Sequence, residues 1–270
     1  MAVKNISEIK YWLLDMDGTI YLGDKLIPGA LDFLEGIVRR GGKAIFLTNN
    51  SSRAPRDYAK KLEALGISAC EEDVFTSGDA AAELLKNRFG YGSSCYLMGT
   101  PSLEALMTDR GFHLCSEGEN ADFVLLGFDK TLTYDKIRIA CDYINAGVPF
   151  FATHPDFLCP TETGFIPDTG SMIKMFEAAT GVSPEIAGKP EKAMADAAFS
   201  RYGIDPGVTA MVGDRLMTDI AFGNRSDITA VLVLSGETKL EQYEAQNSVR
   251  ADFIYGSVAE MEAELEKSEG

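Results

Sequence analysis

The chain has 270 residues, 41 acidic against 25 basic, a formal net charge of −16 and 46% hydrophobic residues. That length suits two domains or one large α/β unit, and the composition excludes a disordered or fibrous chain. So acidic a field argues against unspecific binding to nucleic acid polymers or anionic membranes, and no apolar run approaches the ~18 residues that span a bilayer.

In chain order, Tyr11–Leu14 (YWLL) reads as a buried strand, too short for a signal-peptide core, so a cytoplasmic location is expected. Pro28–Arg40 is predicted to be helical, with Leu31, Leu34 and Val38 at helical spacing and Gly41-Gly42 ending it. Lys43–Leu47 (KAIFL) is the next strand. The middle of the chain repeats the alternation: strands at Cys95–Gly99, Phe123–Gly127 and Pro149–Thr153, and helices at Pro101–Arg110 and Tyr134–Asn145. Val208–Val212 and Thr229–Leu234 close the series as strands, and Val258–Gly270, with five Glu and one Lys, reads as a solvated terminal helix. Short apolar runs alternating with helices are the pattern of βαβ units around parallel sheets. Five cysteines without a C-x-x-C pair, beside two histidines, read as buried thiols and not as a disulfide framework or zinc site.

Three of the strands are followed by polar groups. Asp15-Met16-Asp17-Gly18-Thr19 follows the first, Thr48-Asn49-Asn50-Ser51-Ser52 follows KAIFL, and Gly213-Asp214 through Asp219 follows Val208–Val212. Ligands in open parallel sheets sit outside the carboxyl ends of the strands, so these segments aim at one crevice. Carboxylates gathered there repel by roughly 4 kcal/mol per pair at ~4 Å and an effective dielectric of ~20. A hard divalent cation relieves that cost, and an all-oxygen ligand set points to Mg²⁺. Helix caps and turns after strands account for any single one of these aspartates, but not for all of them in order.

Asp15-x-Asp17-Gly18-Thr19, Thr48-Asn49, Lys189-Pro190 and Gly213-Asp214 with Asp219 resemble the four ordered motifs of the haloacid dehalogenase superfamily. His154-Pro155-Asp156, Phe165 through Ser171, Ala179-Thr180-Gly181 and Leu234-Ser235-Gly236 resemble its NagD-like phosphatases of 4-nitrophenylphosphatase type. The resemblance implies a Rossmann-like parallel-sheet core, residues 1–79 and 180–270, with an inserted α/β cap of type 2, residues 80–179. It also implies a Mg²⁺-dependent phosphatase acting on small phosphorylated metabolites such as sugar or nucleotide phosphates. Asp15 would be the nucleophile that forms an aspartyl-phosphate, and Asp17 the general acid and base. Mg²⁺ would be held by Asp15, the Asp17 carbonyl and Asp214, with Asp219 outside the direct ligands or fixing Lys189. Met16, Thr48, Asn49 and Lys189 would surround the phosphate. In the cap, Phe157, Leu158 and Cys159 would meet the leaving group. A homodimer through the caps is a further expectation.

Spacing fits this organisation, because some 140 residues separate Thr48 from Lys189 and leave room for a folded insertion. The chain departs from the pattern at His154, where Asn is common before Pro-Asp, and at Arg215, where Asn is common after Asp214. His154 is either a packed residue without a catalytic role or part of the site; Arg215 either tunes anion binding or pairs on the surface. Two other functions use similar residues: a phosphate-accepting signalling module without turnover, and C–halogen hydrolysis. The long insertion counts against the first, and a metal-binding set with a ready acid at Asp17 counts against the second.

Overall fold

The structure, a computed structural model, describes residues 5–161 and 163–268. The chain divides into two units, one from residues 5–48, 56–75 and 189–268, the other from 49–55 and 76–188.

The first unit is built on a six-stranded sheet in the order Phe253–Tyr255, Thr229–Val233, Thr209–Gly213, Tyr11–Leu14, Lys43–Thr48, Val74–Thr76. Tyr11–Leu14 runs parallel to both its neighbours, Leu14 lying opposite Val212 on one side and Phe46 on the other. A central strand covered on both faces must be apolar throughout, which is why YWLL is a run without alternation. From this strand the chain builds outward on one side and returns later on the other. The order therefore reverses between Tyr11–Leu14 and Thr209–Gly213, and open parallel sheets bind ligands at such a reversal, outside the carboxyl ends of the strands.

The predicted first helix forms at Ala30–Arg39, but its buried side is Ala30, Phe33, Gly36 and Ile37, whereas Leu31 and Val38 face solvent. Two apolar stripes with helical spacing compete on this segment. The one carrying Phe33, whose ring packs edge-on against Trp12, takes the core. The terminal helix, Val258–Lys267, corrects a second expectation. Val258, Met261 and Leu265 are buried, and so is Glu262, whose carboxylate is gripped by the guanidinium groups of Arg39 and Arg40. Gly36 makes room for it, since a Cβ there would lie 2.1 Å from Glu262 Oε1. Glu269, the last acidic residue of that segment, lies outside the described residues.

The second unit carries a five-stranded sheet ordered Glu185–Ile186, Phe150–Ala152, Phe123–Leu126, Ser94–Met98, His113–Leu114, with every neighbouring pair parallel. Two of its helices begin at threonine caps: Thr76 accepts from the Asp79 amide ahead of Ser77–Phe89, and Thr133 from the Lys136 amide ahead of Tyr134–Asn145. An antiparallel hairpin, Leu158–Thr161 with Gly164–Pro167, stands apart from that sheet with most of its residues exposed. Of the five thiols only Cys95 and Cys115 are buried; Cys141 and Cys159 are half-buried and Cys70 is exposed, so the expectation of five core cysteines holds for two. Cys70 sits in a polar turn, where its neighbours are Glu71, Glu72 and Asp73 and no strand carries it inward. Among the described residues no helix is long and apolar enough to cross a membrane.

Candidate active site

Asp15 directly follows the first strand, and its amide is still bonded to Val212 O of the neighbouring strand (2.9 Å), so the sheet ladder fixes its backbone. Asp214 follows the paired strand Thr209–Gly213 across the point where the order reverses. Asp219 stands in the single turn of π-helix Leu216–Ile220. These three carboxylates each offer an oxygen within 4.8 Å of the others, the one such acidic group among the described residues.

One cation is buried among them. Lys189 Nζ donates to Asp15 Oδ1 at 2.6 Å and to Asp219 Oδ1 at 2.7 Å. The Arg215 amide donates to Asp219 Oδ2 at 3.1 Å, so both oxygens of Asp219 are held. Asp214 is held differently. The Glu237 amide donates to its Oδ2 at 2.6 Å, while its buried Oδ1 has no hydrogen-bond partner. That clamp comes from the turn after Thr229–Val233, where Ser235 Oγ also donates to Gly18 O at 2.7 Å. Gly236 is required in the turn, because a Cβ would lie 2.0 Å from Asp214 Oδ2.

The charge balance shows in the acidities. Burial lifts Asp15 to about 6 against the pull of Lys189, with Asp219 adding to the rise. Burial, then the charges of Asp15 and Asp219, push Asp214 up to about 8. Burial disfavours the Lys189 ammonium, but Asp15 and Asp219 outweigh it and hold its pKa above the ordinary lysine value. Three carboxylates and one ammonium leave two formal negative charges in a buried space. A hard divalent cation cancels them, and the unpartnered Asp214 Oδ1 is an oxygen suited to it, so the donor set fits Mg²⁺.

The other predicted residues fall in three groups. Asp17 lies outside the carboxylate cluster; burial raises its pKa, opposed by Lys61 and Arg215. Met16 is buried in the core of the first unit, and its carbonyl accepts from the Ile20 and Tyr21 amides, so neither its side chain nor its carbonyl is available to a ligand. Thr48 ends the Lys43–Thr48 strand and is buried. In the second unit, Asn49 Nδ2 donates to both oxygens of Asp156 at 3.3 Å, and its carbonyl accepts from Ser77 Oγ. Phe157 and Leu158 are 54% and 52% exposed, and Cys159 is half-buried, at the base of the hairpin and not in an irregular loop. Arg215 Nε meets Glu237 Oε2 at 3.1 Å, which bears on the open choice for that residue. The Ser235–Glu237 clamp on Asp214 was not legible as such. Its signal is Leu234-Ser235-Gly236, a stretch that carries part of the family resemblance without showing which carboxylate it holds.

Comparison with known proteins agrees with this geometry. The family model described as haloacid dehalogenase-like hydrolase matches residues 12–113, and a second, HAD-hydrolase-like model matches residues 186–261. The 5'-nucleotidase YutF of Bacillus subtilis is 38% identical over 232 residues, 86% of this chain and 90% of its own. Among solved structures, a 4-nitrophenylphosphatase from Thermotoga maritima superposes with a TM-score of 0.90 at 41% identity, covering 96% of this chain and 98% of that one. A glycerol phosphate phosphatase from Mycobacterium tuberculosis, in complex with magnesium, superposes with a TM-score of 0.88 at 31% identity, covering 97% and 78%.

Proposed function

The chain belongs to the haloacid dehalogenase-like hydrolases, and from that premise we propose that it is a Mg²⁺-dependent phosphatase of small phosphomonoesters that works through Asp15. The observation that carries the reading is the buried set of Asp15, Asp214 and Asp219 around Lys189, with one Asp214 oxygen left without a partner. When bound, Mg²⁺ supplies charge neutralisation for the carboxylates and for the oxygens of the arriving phosphate.

Asp15 attacks phosphorus as a carboxylate, forming an acyl–phosphate bond as the P–O bond to the alcohol breaks. Lys189 favours that ionised form and, held in turn by Asp219, fixes the direction of the Asp15 carboxylate. Asp17 gives its proton to the departing alkoxide, a role suited to a carboxyl whose pKa burial raises. Asp17, now ionised, takes a proton from the water that attacks phosphorus, and the Asp15 carboxylate leaves. Thr48, Asn49, Lys189 and the backbone at Met16 are assigned to the phosphate oxygens, which charge-assisted donors hold well. Phe157, Leu158 and Cys159 are assigned to the leaving group. Their exposure in the second unit supports that choice, and this unit is read as the specificity domain.

Activity on 4-nitrophenyl phosphate should vanish in EDTA and return with Mg²⁺, and Asp15→Asn should lower turnover at least ~10³-fold while the fold persists. Metal-independent turnover, or substantial activity in that variant, defeats the reading. Five thiols free of disulfides fit a reducing compartment, and the cytoplasm is assigned on that ground. Association of two copies through the second unit completes the reading. The exposed Phe165 and Ile166 side chains support it, and sedimentation velocity checks it.

A further inference from the structure

His154 is fully buried in the second unit, and both its ring nitrogens are engaged. Nδ1 lies 2.9 Å from Thr153 Oγ1 and Nε2 lies 3.0 Å from Asp168 Oδ1. Thr153 Oγ1 is in turn 3.0 Å from Ser51 Oγ, which accepts from the Phe128 amide at 3.0 Å. The direction at the carboxylate end follows from the charge there. Asp168, whose pKa is held below the ordinary value against its burial by its bond to His154, is an acceptor only, so Nε2–H donates to it. Nδ1 is bonded to the Thr153 hydroxyl, which is bonded in turn to the Ser51 hydroxyl. The result is a buried relay of five groups from Phe128 N–H to the Asp168 carboxylate.

Asp168 caps the helix Thr169–Thr180, accepting at Oδ1 from the Thr169 amide (2.6 Å) and hydroxyl (3.1 Å). The first turn of this helix holds the segment that leads into the hairpin. The Gly170 amide donates to Asp156 O at 2.7 Å, the Asp168 amide to Phe157 O at 2.9 Å, and Ser171 Oγ to Phe157 O at 2.7 Å. His154 thus joins two segments of the same unit: Asn49–Pro55 at one end of the relay and the Asp156–Leu158 stretch at the other. A buried polar chain costs desolvation that an apolar side chain avoids, and its return is a single defined arrangement.

We propose that His154 is a positioning residue which, through its bond to Asp168, sets the pose of Phe157 and Leu158 and thereby the selectivity for the leaving group. The proposal rests on the phosphatase reading and on those two side chains meeting the leaving group; it assigns His154 no contact with substrate.

The ring divides into two testable halves. His154→Gln keeps a donor where Nε2 was and loses the Nδ1 contact with Thr153, whereas His154→Asn keeps a group near Nδ1 and loses the reach to Asp168. Full-length His154→Asn should exchange the Asp168 and Gly170 amides at least 10-fold faster by hydrogen-exchange mass spectrometry. At saturating Mg²⁺ its kcat/KM ratio between 4-nitrophenyl phosphate and glycerol 3-phosphate should shift at least fivefold through KM. Both kcat and inhibition by inorganic phosphate should stay within twofold of the wild type. His154→Gln should restore the ratio to within twofold, and Asp168→Ala, which removes the acceptor that Asn would keep, should repeat the His154→Asn shift; if His154→Asn does not fold, Asp168→Ala carries the measurement. An unchanged ratio alongside faster exchange overturns the proposal, as does unchanged exchange. A parallel fall of kcat and phosphate affinity reports a merely structural loss and overturns it equally. A wild type with no turnover of any phosphomonoester defeats the phosphatase reading instead, while the exchange rates still report on the relay.

Discussion

Replacing Asp214 by Asn should raise, not lower, the melting temperature of the metal-free protein at pH 8. Burial and the charges of Asp15 and Asp219 carry the Asp214 carboxyl from 3.8 to about 8. Each pKa unit corresponds to about 1.4 kcal/mol, so ionising this cluster costs the folded chain on the order of 5 kcal/mol, a cost absent from the unfolded chain. The sign follows from proton counting. Between roughly pH 4 and pH 8 the folded state keeps a proton that the unfolded state has lost, so stability falls across that window as pH rises and levels off above it. Asn cannot ionise, and its amide oxygen can still accept from Glu237 N–H. Recovering about a third of the cost gives ~1–2 kcal/mol, or roughly 2–8 °C for a chain of this size. Mg²⁺ relieves the same repulsion in the wild type, so its stabilising effect should be larger at pH 8 than at pH 5 and small in Asp214→Asn. Thermal melts of both proteins in EDTA and in Mg²⁺, at pH 5, 6.5 and 8, test this directly. If Asp214→Asn melts at or below the wild type in EDTA at pH 8, crowded charge is not what strains the site. An equal Mg²⁺ shift in both proteins would remove Asp214 from the metal.

Gly236→Ala should raise the Mg²⁺ concentration for half-maximal activity by at least ~10-fold, because the new Cβ would displace Asp214 from the Glu237 amide; titration calorimetry with Mg²⁺ alone reads the same loss without turnover. Gly36→Ala should destabilise the first unit by about 1–3 kcal/mol in urea unfolding, since the added methyl falls on the Glu262 carboxylate held by Arg39 and Arg40. Phe157→Ser and Leu158→Ser should each leave stability within ~0.5 kcal/mol, both side chains being half exposed, while raising KM for 4-nitrophenyl phosphate; an unchanged KM removes them from the leaving-group surface.

The sequence makes legible whatever is local along it. Strand ends such as Leu14-Asp15 and Gly213-Asp214 announce themselves because an apolar run stops at a carboxylate, and a parallel sheet carries every such end to one edge. Pairings made across the fold leave weaker traces. Leu31 and Val38 satisfy helical spacing as well as Phe33 and Ile37 do, and only the Trp12 ring opposite decides which stripe goes inward. Glu262 looks like one more solvated acid until Arg39 and Arg40, more than 220 residues earlier, are found around it. His154 gives no sign of its partner because Asp168 lies across a hairpin, and the cap it forms reads locally as a turn.

The position of the first strand has a consequence for synthesis. Tyr11–Leu14 leaves the ribosome early, but its neighbour Thr209–Gly213 and the clamp on Asp214 are made some two hundred residues later. Nearly all of the second unit, by contrast, comes from the unbroken stretch 76–188, so its sheet can close while the first unit still lacks half its strands. Until then the nascent chain carries Asp15 with neither Lys189 nor the other two carboxylates, and has no assembled cradle for a divalent ion. Synthesis in this order allows a finished insertion on an open sheet before any metal-binding cradle exists.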